Sequence, residues 1–264
     1  MESGGAATIE QVRRYWDRQP CNIRHGVAPI GTREYFDQVE ARKYFVEPHI
    51  PPFADFARWT GKTVLEIGCG IGTDAVNFAR AGARLTAVDL SAESLRLCCQ
   101  RFETYGLAAR FHVANVEDLE RTVPVEPYDL IYAFGVLHHT PEPRRAVEAL
   151  MRYMRPGSEL RLMLYAKISW KNLLVRLERT QPEAQAECPV ALTYTARGIR
   201  RLLRGLEVES IRKDHIFAWS IPEYVRHRYR KVWYFRGWPH AAFRTAERFL
   251  GWHMLVVARR SGMA

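Results

Sequence analysis

Glu66, Gly68, Gly70 and Gly72 stand at alternate positions in the stretch LEIGCGIGTD, and Asp89 closes the next apolar run, RLTAVDL. A backbone can approach a ligand closely only where side chains are absent, so three glycines in one turn suit the reception of a nucleotide. An acid at the end of the following strand can accept hydrogen bonds from both ribose hydroxyls of a nucleoside, and it repels a 2′-phosphate. The spacing narrows the choice. A nicotinamide or flavin site would need its third glycine where Thr73 stands, and no Gly-Lys-Ser/Thr follows to make a phosphate-cradling loop.

Three further stretches carry side chains capable of chemistry. Phe134, Gly135, His138 and His139 follow the apolar run YDLIYAF, where an open parallel sheet would present its ligand crevice. Either histidine can act as a general base or hold an acceptor. The alternative is that one packs under the loop while the other caps the helix after Pro141. YWDRQPCNIRHG gathers Tyr15, Trp16, Asn22, Arg24 and His25 ahead of the sheet, more chemistry than a linker requires. FAWSIPEYVRHRYRKVWYFRGWPHAAF interleaves aromatics with Arg and Lys, as a pocket wall, a nucleic-acid surface or a membrane-surface contact would.

The elements that must position these residues are read from period. KTVLEIG, RLTAVDL, ARFHVAN, YDLIYAF and ELRLMLYA are short apolar runs; TDAVNFARAG, SAESLRLCCQRFETYG and EPRRAVEALMRYM between them have helical spacing, with Ser91 as an N-cap. Strand–helix alternation of this kind predicts a parallel sheet with helices on both faces. SWKNLLVRLERTQ reads as an inserted helix, and TYTARGIRRLLRG as a helix capped near Thr193 or Thr195. LEVESIRKDHI and GWHMLVVARR supply the final strands. Helices around IEQVRRYWDRQ and TREYFDQVEARKYF precede the sheet.

In these residues the chain resembles the class I S-adenosylmethionine-dependent methyltransferases. VLEIGCGIGTD is similar to their first motif and AVDLS to the second; VANVEDL, YDLIYAFGVLHHT and LMRYMRPGSELRL follow in family order across residues 62–165. The likeness is greatest to the ubiquinone/menaquinone-methylase-like small-molecule enzymes. It implies a Rossmann-like α/β fold with a seven-stranded, mostly parallel sheet whose last strand is antiparallel. Residues 1–60 become a helical cap or lid, and residues 61–264 the methyltransferase domain, with insertions at about 166–192 and 216–250. The implied cofactor is S-adenosyl-L-methionine. Glu66 and turn carbonyls would face its amine, turn N–H groups its carboxylate, Asp89 its ribose, and Leu90 its adenine. Asn115 or the Val116 backbone would read the adenine edge, with Phe134 nearby. The third motif departs from the family where an acid is usual and Asn115 stands instead. The implied reaction is methyl transfer to a small-molecule acceptor, a natural-product, quinone or lipid-linked intermediate that is anionic or aromatic. His138, His139 and His25 are the catalytic candidates; Tyr15, Trp16, Asn22 and Arg24 are the acceptor-binding ones.

Composition sets the outer bounds. With 264 residues, 47% hydrophobic and 26% charged, the chain can bury a full core and is not of disordered composition. Five cysteines without a C-x-x-C pair point to reduced thiols rather than a disulfide framework or zinc site, and no metal ligand set is assigned. The N-terminus lacks a signal-peptide core and no run is long enough to span a bilayer, so a cytoplasmic, soluble protein is expected. Residues 195–264 carry 15 Lys/Arg against 5 Asp/Glu, which accounts for the whole net charge of +10. That basic part keeps RNA methylation as a rival reading. A non-methylating enzyme using the same cofactor, or a cofactor-binding regulator, are the others.

Overall fold

Val64, Leu65 and Ile67 are at most 2% exposed, so the first strand is covered on both faces, as the βαβ alternation requires. The structure is a computed structural model describing residues 7–177 and 188–262. In chain order its elements are α1 (Ile9–Arg18), α2 (Arg33–Val46), α3 (Ile50–Ala54), β1 (Thr63–Ile67), α4 (Thr73–Arg80), β2 (Arg84–Asp89), α5 (Ala92–Tyr105), β3 (Arg110–Val113), β4 (Tyr128–Phe134), α6 (Pro143–Met151) and β5 (Met154–Ala166). They continue as α7 (Trp170–Arg176), β6 (Thr193–Tyr194), α8 (Ala196–Leu202), β7 (Glu207–Asp214), α9 (Ile221–Val225), α10 (His240–Leu250) and β8 (His253–Arg259). The inserted helix expected over SWKNLLVRLERTQ ends at Arg176, and its last residues lie outside the described part.

The sheet order is β3-β2-β1-β4-β5-β8-β7. An eighth strand beyond the expected seven, β6, pairs only Thr193 and Tyr194 with Tyr165 and Ala166 of β5. β8 is antiparallel to both β5 and β7, in agreement with the expected antiparallel last strand. Two antiparallel pairings make β7 parallel to β5. The segment between β7 and β8 therefore leaves and re-enters at the edge where β1, β2 and β4 end. Alternation along the strands fills two cores. Leu65, Ile67, Ile131 and Leu162 pack with α6 and α8, while Val64, Ala87, Leu130 and Tyr132 pack with α4 and α5.

Local signals hold where they are short-range. The Ser91 side chain accepts from Ser94 N–H to cap α5, and Thr195 caps α8. The N-terminal segment is more deeply integrated than a lid with few core contacts. Tyr35, Phe36 and Val39 of α2 are fully buried with Ile71 and Leu97. The wholly buried Arg101 reaches from α5 to the Phe36 carbonyl at 3.1 Å, the Glu40 carboxylate at 2.9 Å and the Thr73 hydroxyl at 2.8 Å.

Candidate active site

All three glycines of the turn after β1 have positive φ, 68° at Gly68, 54° at Gly70 and 79° at Gly72, but they do different work. A Cβ on Gly72 would lie 2.6 Å from the Cys98 sulfur, and one on Gly68 would lie 2.3 Å from a Val136 methyl. Gly72 is absent from the cavity lining, so its bareness serves the packing of α4 on α5 rather than a ligand. Gly70 has nothing within 4 Å of its missing Cβ and faces open cavity. Its N–H donates to Asp89 Oδ2 at 2.8 Å, and the Ser91 N–H donates to Oδ1 at 2.8 Å. Burial pushes the Asp89 carboxyl up to about 6 against the pull of those two donors.

The cavity this turn faces measures about 850 Å³. Gly68, Gly70, Asp89, Leu90, Asn115, Val116 and Phe134 line it from the strand ends. The Asn115 side-chain oxygen accepts from the Glu117 N–H at 3.0 Å as a helix cap, while the residue lines the cavity beside Val116. Glu66 is buried outside the lining, where burial first, and Asp74 second, raise its carboxyl well above the usual range; its Oε2 has no hydrogen-bond partner. Lys43 of α2 does reach the lining, and its ammonium lies 2.9 Å from Asp74, which also accepts from Tyr44 and Tyr132. Burial opposes the Lys43 charge, but Asp74 and Glu47 outweigh it and raise its pKa.

The two adjacent histidines are separated in role. His138 is wholly buried, its ring centroid 3.7 Å from that of Tyr165, and it packs behind the loop instead of lining the cavity. His139 lines the cavity; its Nδ1 lies 2.6 Å from the Val190 carbonyl, which fixes the proton there and leaves Nε2 as the acceptor nitrogen. His25 also lines the cavity, with Nε2 3.1 Å from the Tyr224 hydroxyl. Burial, then Arg42 and Lys43, push His25 down to about 3, so it is a weak proton acceptor at neutral pH. Trp16 and Asn22 line the cavity, whereas Tyr15 is buried in the packing of α1 and Arg24 is exposed; neither of these two lines it. Cys21 is exposed and contributes to the lining.

Phe217, Trp219 and Tyr224, from the stretch expected as a pocket wall, line the cavity; Tyr165, Trp170 and Trp252, which complete its aromatic side, escaped sequence reasoning, as did Lys171, 5.1 Å from the Trp252 ring. Glu47, His215 and His253 add polar groups. His49 and His253 are 204 residues apart, so no local spacing could have joined them. The available signal was a histidine beginning the apolar run of β8 and another ending that of β7.

A ligand cavity beyond the carboxyl ends of a parallel sheet, with an acid-anchored glycine turn, defines a nucleoside-binding α/β domain. Comparison makes the class specific: residues 64–157 match the profile of a methyltransferase domain. Over 100 residues the chain is 35% identical to a ubiquinone biosynthesis O-methyltransferase of Sodalis glossinidius, covering 38% of this chain and only 40% of that protein. A solved structure bearing on the conversion of a disulfide bond into a thioacetal group during echinomycin biosynthesis superposes with TM-score 0.55. It is 25% identical, over 80% of this chain and 82% of that one. Magnesium protoporphyrin IX methyltransferase from Synechocystis, with TM-score 0.63 and 17% identity over 96% and 100% of the two chains, shares the fold.

Proposed function

We propose that the chain is an S-adenosylmethionine-dependent methyltransferase acting on a small molecule with an aromatic or otherwise planar apolar body, of the natural-product, quinone or lipid-linked kind. The observation carrying this reading is one cavity that joins the Gly70–Asp89 turn to an aromatic chamber. The residues fit the cofactor. Asp89 is anchored through backbone donors and faces the cavity, with carboxylate lone pairs to spare for ribose hydroxyls. Leu90 and Val116 flank the space for adenine, and the open face of Gly70 admits the amino-acid portion.

When bound, the cofactor supplies a methyl group already activated by positive sulfur. The chain's contribution is then alignment and exclusion of water. Trp16 and Asn22 close the cavity from the N-terminal cap of residues 1–60, and Phe217, Trp219 and Tyr224 from the 216–250 insertion. His139 Nε2 is the histidine nitrogen suited to take a proton from the acceptor, because His138 is buried away and His25 is too weakly basic. Incubation with methyl-labelled cofactor, metabolite extracts and RNA tests the reading. Label in a small molecule dependent on His139 and Asp89 is expected. Label in RNA, or cofactor binding without any transfer, overturns it.

A further inference from the structure

Where Glu47 and His253 line the same cavity, the buried imidazole of His49 converges on them from behind the wall. His49 Nε2 and His253 Nδ1 are 2.9 Å apart, His253 Nδ1 is 3.6 Å from Glu47 Oε1, and one ligand atom from each of the three lies within 4.8 Å of the others. His49 and His253 are 4% and 5% exposed. The His215 ring is 4.6 Å from that of His253 and 5.2 Å from that of His49. Phe134, at the end of β4, lies 5.8 Å from the His253 ring and 6.0 Å from His49.

We propose that Glu47, His49 and His253 bind a divalent transition-metal ion of the zinc class, with an open coordination position that takes an oxygen of the acceptor. The proposal rests on the methyltransferase reading for the acceptor's part in it, and on geometry alone for the metal. Two histidines and one glutamate form a catalytic-type ligand set that leaves a fourth position open, and imidazole with carboxylate suits zinc and its neighbours. Elementary charge balance agrees: one carboxylate against a divalent ion leaves the site a single positive charge, which attracts an anionic oxygen.

The chemistry closes a gap left by the histidines. A hydroxyl bound to such an ion loses its proton far more easily than in water, so the acceptor can arrive at the sulfonium as an oxyanion without a strong base. The proton leaves to solvent or to His139, and the oxygen then forms its bond to the methyl carbon as the carbon–sulfur bond breaks. Acceptors that present an ionisable hydroxyl on an aromatic ring, as a phenol or catechol does, are the class favoured here.

The test uses the whole chain stripped with a chelator and titrated with cobalt(II), read by visible absorption and followed by zinc competition, with cofactor binding measured in parallel by calorimetry. One cobalt per chain, displaced by zinc, is expected. Glu47→Gln and His49→Ala should each weaken cobalt binding by about 100-fold or more, since removing even the groups that support metal ligands loses about 10–100-fold. His240→Ala, on exposed α10, should leave it unchanged. Failure of folded wild-type chain to take up cobalt or zinc at micromolar concentration overturns the proposal, as does cobalt binding that persists in Glu47→Gln. Glu47 is only partly buried, so that variant decides the matter even if His49→Ala unfolds. Adding a simple catechol should shift the cobalt spectrum; an unchanged spectrum refutes the open position. Cobalt binding by a chain that fails to bind the cofactor would sustain the metal site and sink the methyltransferase reading.

Discussion

The cavity has two covering walls, and they are held by different forces. The wall from α1 and α2 is anchored in the core through Tyr35, Phe36 and Val39, and by Arg101, which spends its donors on three different partners. The wall from residues 215–250 rests on a small cluster of Ile216, Ala218 and Phe235, and it leaves Trp233 78% and Val225 65% exposed. They meet at a seam where Arg42 donates to the Tyr224 carbonyl at 2.7 Å and lies 4.3 Å from the Tyr224 ring, while Phe45 stacks on Trp219. Segments with few buried apolar contacts open most readily. The first wall is therefore part of the frame, and the second is the one expected to open more readily.

The sharpest way to break this contrast is Arg101→Met, which removes the buried guanidinium's bonds to the Phe36 carbonyl, the Thr73 hydroxyl and Glu40, the last of which keeps its pairing with Arg80. Unfolding in urea should show a loss of about 2 kcal/mol. A loss below about 1 kcal/mol would mean that α2 is not held as described. Next comes the floor between the walls. Gly70→Val puts a branched side chain at φ 54° into open cavity, and cofactor affinity should fall by about 100-fold or more, or about 2.7 kcal/mol, with the melting temperature moving far less than for Arg101→Met.

Asp89→Asn should weaken cofactor binding about tenfold or more, because hydrogen bonds to a charged acceptor contribute about 1.5–3 kcal/mol each. Its pH dependence has a defined sign. The folded carboxyl is raised from 3.8 to about 6, so the ligand-free fold holds this proton more tightly than the unfolded chain. Stability from this group is full below the unfolded value and is lost as pH rises through about 6. Cofactor affinity should run the other way, falling as pH drops below about 6, and Asp89→Asn should flatten both profiles in melting and calorimetric measurements.

Smaller effects test the seam and the outer wall. Arg42→Leu should raise the acceptor KM several-fold while cofactor affinity holds, since only the junction of the walls is loosened. An unchanged KM would separate the seam from acceptor binding. Trp233→Ala should alter stability by no more than about 0.5 kcal/mol, as for other exposed positions. A larger loss would show that the second wall is as firmly built as the first.

What could be read from the sequence was what is local or periodic. Strands such as Thr63–Ile67, the Ser91 cap and the Asp89–glycine pairing follow from neighbours within a few residues, or from a motif order fixed by the fold. The glycines show the limit of this, because letters at alternate positions cannot separate Gly70, which opens on the cavity, from Gly72, which admits Cys98. Asn115 shows it too, since its side-chain oxygen caps its own loop while the residue still lines the cavity. Arg101 is wholly buried although nothing near it in the chain marks it for burial, because its α2 partners come from more than sixty positions earlier. The histidine pair was invisible for the same reason. Tertiary pairing brings together what no window contains.

The antiparallel placement of β8 has a consequence for how such a chain can be altered. Asp214 and His253 sit opposite each other in adjacent strands, so the stretch between them begins and ends at one doorway whose width is fixed by strand pairing. The entropy of closing a loop grows only slowly with its length. A longer, shorter or wholly foreign segment could therefore be spliced between those two residues with little strain on the sheet. The acceptor wall is in that sense an exchangeable cassette, while the nucleoside floor is welded to the strands that carry it.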